Sequence, residues 1–94
     1  MENNIQLFFS KNKWDFIDNN RKVRKLFKFR NFSEAFSWMT EVSFSAEKID
    51  HHPDWTNVYN KVDVTLSTHD QNKLTKKDLS LAQLMEKTFV KYNY

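Results

Sequence analysis

Cysteine and glycine are both absent from the 94 residues, and proline occurs once. Without cysteine there is neither a disulfide frame nor a thiol nucleophile. The near-absence of proline and glycine argues against a disordered or low-complexity chain. Long hydrophobic runs are missing too. No stretch approaches the ~18 apolar residues needed to cross a bilayer. The N-terminal "MENNIQLFFSKNKW" lacks a basic segment followed by a long apolar run, so it does not read as a secretory signal. The expected compartment is therefore the cytoplasm.

Aromatic side chains are plentiful, at 16% of residues with nine phenylalanines. In a chain of this size a few bulky rings supply most of the buried area. A single domain over 1–94 is expected. The formal net charge is +3, and much of the basic excess lies in "RKVRKLFKFR", residues 21–30. Such a run could meet nucleic acid. The favoured reading is the solvated face of a strand, so no nucleic-acid partner is expected.

The hydrophobic periodicity gives an element order. "IQLFFS" reads as a short helix capped by Asn3 or Asn4. "WDFIDNNRKVRKLFKFR" reads as a hairpin about Asn19-Asn20, because asparagine tolerates positive φ. Val23, Phe27 and Phe29 share one face of its second strand, and Lys22, Arg24, Lys28 and Arg30 the other. "NFSEAFSWMTEVSFSAEKI" reads as a long helix opened by Asn31 and Glu34. Its expected buried stripe is Phe32, Ala35, Phe36, Met39, Val42, Ala46 and Ile49, with Phe44 left on the polar side. "WTNVYNKVDVTLSTH" reads as a second hairpin, about Asn60-Lys61, with Val62, Val64 and Leu66 on its apolar face. "LTKKDLSLAQLMEKTFV" reads as a closing helix with Thr75 and Asp78 as a capping box, Leu74 and Leu79 as its staple, and Leu79, Ala82, Met85 and Phe89 as its buried stripe. The fold class is α+β: a four-stranded antiparallel sheet with helices on one face, ordered α-β-β-α-β-β-α.

The polar residues concentrate in "EKIDHHPDW", residues 47–55. His51 and His52 follow the long helix, His69 closes the last strand, and Glu47, Asp50, Asp54 and Asp70 lie beside them. Adjacent histidines tend to point apart, and no H-x-H or H-x-x-x-H spacing is present, which argues against a metal. No nucleophile elbow is present either. Histidines titrate near neutrality, and neighbouring carboxylates can fix their tautomers. Two or three such rings about one ligand would suit a reaction that removes water. The bland alternative is a surface loop that carries His-His by chance.

The pattern Glu47-x-x-x-His51-His52-Pro53, Tyr59, His69, Asp78, with gaps of five, nine and eight residues, resembles the signature of the pterin-4a-carbinolamine dehydratases. The resemblance extends over about residues 14–90. It implies a hydro-lyase that converts a 4a-hydroxytetrahydropterin to the quinonoid dihydropterin and water, in tetrahydrobiopterin recycling after aromatic amino acid hydroxylation. It implies no metal and no cofactor, since the pterin is the substrate. His51, His52, His69 and Glu47 would then be the catalytic set, with His51 and His69 as acid and base and His52 chiefly holding the pterin. Asp50, Ser67, Thr68, Asp70, Trp14 and Asp78 would complete the substrate site. The loop after His69 reads "DQNKL", where relatives often carry glycine. The resemblance also implies a homotetramer or homodimer, a functional link to an aromatic amino acid hydroxylase, and a rival role. That rival is a non-catalytic dimerisation or coactivator module, since some members partner a homeodomain transcription factor.

Overall fold

Two hairpins and three helices alternate along the chain in the computed structural model, which describes residues 1–92. Asn93 and Tyr94, the last residues of the expected domain span, lie outside the described residues. The elements are α1 (Asn3–Lys11), β1 (Asp15–Ile17), β2 (Lys22–Lys28), α2 (Phe32–Lys48), β3 (Asp54–Val58), β4 (Lys61–Leu66) and α3 (Lys76–Phe89). Single turns of 3-10 helix follow at His69–Gln71 and Val90–Tyr92. The strands form one antiparallel sheet in the order β1-β2-β4-β3. The α+β architecture and its element order agree with the sequence reading.

The period-two pattern of the strands sets the layers. Val23, Phe27, Val62, Val64 and Leu66 are buried on the face the helices cover. Phe27 sits near the middle, with its ring centroid 4.6 Å from Trp38, 5.0 Å from Phe89 and 5.8 Å from Trp14. Burying each such ring is worth about 1.5–3 kcal/mol. Edge-to-face contacts add about 0.5–1.5 kcal/mol per pair. Part of the basic run is paired within the chain. Arg24 grips Asp63 across the sheet with two hydrogen bonds, Arg30 pairs with Glu34 at 2.6 Å, and Lys25 reaches Glu86 at 2.7 Å. The Arg24 guanidinium holds the Asp63 carboxyl below its usual range.

Three local expectations need correction. The buried face of α2 is Ala35, Trp38, Val42 and Ala46, while Phe32 and Phe36 are 48% and 55% exposed. At about 100° per residue, Phe32 and Phe36 lie roughly 75° and 115° round from the centre of that face, and Trp38 lies within about 45° of it. Trp38 is fully buried because its Nε1 finds the Met85 carbonyl at 3.2 Å. Ile49 falls on the C-cap, beyond the helical stripe, and Phe44 projects to solvent as expected. The second turn centres on Tyr59-Asn60 instead of Asn60-Lys61, since Lys61 already pairs with Val58. Asn57 Nδ2 secures that turn by donating to the Tyr59 and Lys61 carbonyls. Finally, α1 starts from Glu2 with no side-chain cap, so neither Asn3 nor Asn4 serves as one.

Candidate active site

His51 owes its place to the way α2 stops. The backbone N–H of Asp50 donates to the Glu47 carbonyl at 3.2 Å, and that of His51 to the Ala46 carbonyl at 3.0 Å. This is a Schellman motif, whose C′ residue adopts the left-handed conformation that glycine usually takes. Here Asp50 takes it, with φ +54°. The reversal turns the His51 ring toward the first turn of α3, where Nε2 lies 2.7 Å from Asp78 Oδ1.

Asp78 is fully buried and doubles as the capping-box residue of α3. Its Oδ2 accepts from the Thr75 backbone N–H at 2.9 Å and from the Thr68 hydroxyl at 2.8 Å. The Thr68 and Thr75 hydroxyls are 2.7 Å apart, and Thr75 Oγ1 accepts from the Lys77 N–H at 3.3 Å. Each hydroxyl has one proton to give. Thr68 gives its proton to Asp78, so Thr75 must give its own to Thr68. The chain of donation runs one way and ends on a carboxylate with Oδ1 still open as an acceptor. His51 Nε2 therefore carries a proton and donates it. In the neutral ring that leaves Nδ1 with the free lone pair. Among the described residues no buried side-chain nitrogen or oxygen lacks a partner, so Nδ1 opens onto solvent.

His51 lines a cleft of about 380 Å³ together with Asp50, His52, Ser67, Thr68, His69, Asp70 and Lys77. That volume lies toward the lower end of small-molecule sites. Opposite α2, the end of β4 runs into the 3-10 turn at His69–Gln71, and Asn72 closes it at φ +51°. A bridge between Thr68 and Lys73 ties the loop together. His69 and Asp70 are exposed on its rim. His52 turns outward, with Nε2 2.9 Å from Glu47 Oε1, and both groups are well exposed.

Seven of the ten expected site residues thus line one cleft. Glu47 reaches it only through His52. Asp78 lies beneath it, behind His51 and Thr68. Trp14 does not line it: the ring is packed in the core against Phe9 and Phe27, with Nε1 donating to Glu86 at 2.8 Å. Tyr59 is also remote, exposed at the far turn of the second hairpin. Lys77 was not foreseen. Its signal was available, because it directly precedes Asp78 on the first turn of α3. Among the described residues no group of three histidine or acidic side chains is gathered as for a metal ion. No helix among them is long and apolar enough to cross a membrane.

Comparison with known proteins places the chain in a family. The family profile "Pterin 4 alpha carbinolamine dehydratase" matches residues 1–88. A curated pterin-4-alpha-carbinolamine dehydratase homologue of Sinorhizobium fredii is 55% identical over 73 residues, 78% of this chain and 70% of its own. One from Prochlorococcus marinus is 48% identical over 86 residues, 92% of this chain and 90% of its own. Among solved structures, the "transcriptional coactivator/pterin dehydratase" of Brucella melitensis superposes with a TM-score of 0.83 at 37% identity, covering 94% of this chain and 96% of that one. The chain belongs to the pterin-4a-carbinolamine dehydratase family.

Proposed function

We propose that this protein dehydrates a 4a-hydroxytetrahydropterin to the quinonoid dihydropterin, in recycling of the reduced pterin after aromatic amino acid hydroxylation. The observation that carries the reading is the His51–Asp78 pair: a buried carboxylate partners the Nε2 of a histidine that lines the cleft. In the reaction the C4a–OH gains a proton and leaves as water with the bonding pair. The N5 lone pair forms the C4a=N5 bond, and N5 gives up its proton. Neutral His51 accepts that proton at Nδ1, and the Asp78 carboxylate stabilises the imidazolium formed. His69, on the facing loop, delivers the proton to the departing hydroxyl as an imidazolium. His52, steered by Glu47, holds the pterin with Asp50, Ser67 and Asp70. Every step is a proton transfer, and no metal is assigned a part.

Dehydration of a freshly generated 4a-hydroxytetrahydropterin, followed by absorbance with and without protein, tests this directly. Folded protein that leaves the spontaneous rate unchanged overturns it. The rival reading, a dimerisation or coactivator module, draws on the Brucella melitensis protein, which is described as a transcriptional coactivator as well as a pterin dehydratase. It gives no reason for a buried carboxylate to partner a histidine in the cleft. Self-association belongs to the proposal as well. Phe32, Phe36 and Phe44 are exposed on α2, and β3 is an unpaired sheet edge within the described chain.

A further inference from the structure

We propose that the pterin substrate carries an anionic group on its side chain, a phosphate or a carboxylate, and that Lys73, Lys76 and Lys77 receive it. This rests on reading the histidine cleft as the pterin site. A second hollow of about 600 Å³ adjoins that cleft, between the start of α1, the loop after His69 and the first turn of α3. Lys77 lines both hollows. Ile5 and Leu74 form an apolar floor, and Lys73 and Lys76 stand on the wall with Lys77. The carboxylate of Glu2 is the one acidic group among its lining residues.

Several cations elsewhere in the chain are already neutralised. Arg24, Lys25 and Arg30 each have a carboxylate partner. None of the ammonium groups of Lys73, Lys76 and Lys77 has a carboxylate or hydrogen-bond partner among the described residues. The two hollows differ in charge balance as well. The histidine cleft sets Asp50 and Asp70 against Lys77, whereas its neighbour carries three lysines against one glutamate. An anion attached to the pterin is therefore attracted more strongly at the lysine end than at the histidine end. That polarity fixes which way the bicycle enters. Solvent-exposed charges attract weakly one at a time. Three acting together should favour an anionic over a neutral side chain by on the order of tenfold in affinity at low salt.

The test compares three pterins: a neutral dihydroxypropyl side chain, its phosphate ester, and a benzoylglutamate side chain. Turnover is measured on the 4a-hydroxytetrahydro forms, and binding on stable dihydro forms by fluorescence titration. The expected result is tighter binding and higher kcat/KM for one or both anionic pterins, with the preference shrinking as salt is raised. In the Lys73→Gln/Lys76→Gln variant the anionic-to-neutral ratio should fall to about one; being taken within one protein, it is independent of the folded fraction. Preference for the phosphate ester or for the benzoylglutamate supports the proposal and names the anion. Equal affinity for neutral and anionic pterins overturns it, whatever the turnover. Side-chain-selective binding with no dehydration of any pterin would leave this proposal standing and overturn the dehydratase reading alone.

Discussion

Asp78→Asn separates the two duties of one buried carboxylate. The carboxylate serves three donors: the Thr75 backbone N–H, the Thr68 hydroxyl and His51 Nε2–H. Alanine would strand all three. Loss of the cap alone is worth about 0.5–2 kcal/mol. Each buried donor left without a partner adds about 1–3 kcal/mol where water cannot reach it. Asp78→Ala should therefore lower stability by roughly 3–5 kcal/mol, a large share of what a domain this small possesses. Asparagine behaves differently. Its oxygen can stay with Thr68 and Thr75, which keeps the cap, and its amide then presents N–H to His51. Stability should fall by only about 1 kcal/mol in urea unfolding. His51 must then accept at Nε2 and carry its proton on Nδ1, which removes the lone pair from the cleft. Turnover should drop by about 10²–10⁴-fold, the usual worth of a positioned base. Nitrogen NMR of the His51 ring should report the change of tautomer. A folded Asp78→Asn protein that keeps turnover within about tenfold of the parent would refute the one-way hydrogen-bond chain, given that threshold for a lost base.

Among the histidines, His51→Ala should chiefly lower kcat and His52→Ala should chiefly raise KM. The double change at His51 and His69 should lower the rate by less than the product of the singles if they act as a unit; separate rate and affinity measurements decide this, and a chelator should leave the parent rate unchanged. The Arg24–Asp63 pair should show in the acid limb of stability. Arg24 depresses the folded-state pKa of Asp63, so the pair's contribution is complete above the unfolded carboxyl's range and fades as pH falls through the lower folded value. Asp63→Asn should thus reduce stability by up to about 1 kcal/mol near neutrality and by less in acid once the folded carboxyl is protonated, and an equal loss at both would contradict that linkage. Light scattering should give an oligomeric mass, and Phe44→Glu should lower it if the exposed face of α2 is an interface. A parent monomer at micromolar concentration would remove the assembly proposal.

The fold was legible in the sequence wherever one face of an element meets one environment. The alternation of Val62, Val64 and Leu66 with polar neighbours placed β4 without ambiguity, and Thr75 with Asp78 marked the start of α3. Helix α2 was harder, because it is apolar on more than its buried side. Counting rings favoured Phe32 and Phe36, while the core took Trp38, whose indole needed the Met85 carbonyl from a distant segment. The histidines were visible as a cluster. Their partners were not, since the His51–Asp78 bond joins residues 27 apart and forms only when α3 docks beside the end of α2. Trp14 misled for a similar reason: the partner that draws its indole inward, Glu86, lies 72 residues away.

The lack of glycine bears on how this site can loosen. Left-handed φ angles occur at Lys13, Asp18, Asn19, Asn20, Asp50, Tyr59 and Asn72, and each of these residues carries a β-carbon. Such a residue holds the left-handed well against a steric penalty on the order of 1 kcal/mol, so each turn is a reserve from which one change to glycine can recover stability. The recovery is offset by the extra freedom that glycine lends the unfolded chain. Two of these turns, Asp50 and Asn72, are the hinges from which His51 and His69 hang. Glycine there would exchange stiff hinges for slack ones. A thermally hardened variant of this protein is therefore better sought at Asp18, Asn20 or Tyr59, where the relaxed turn carries no catalytic side chain.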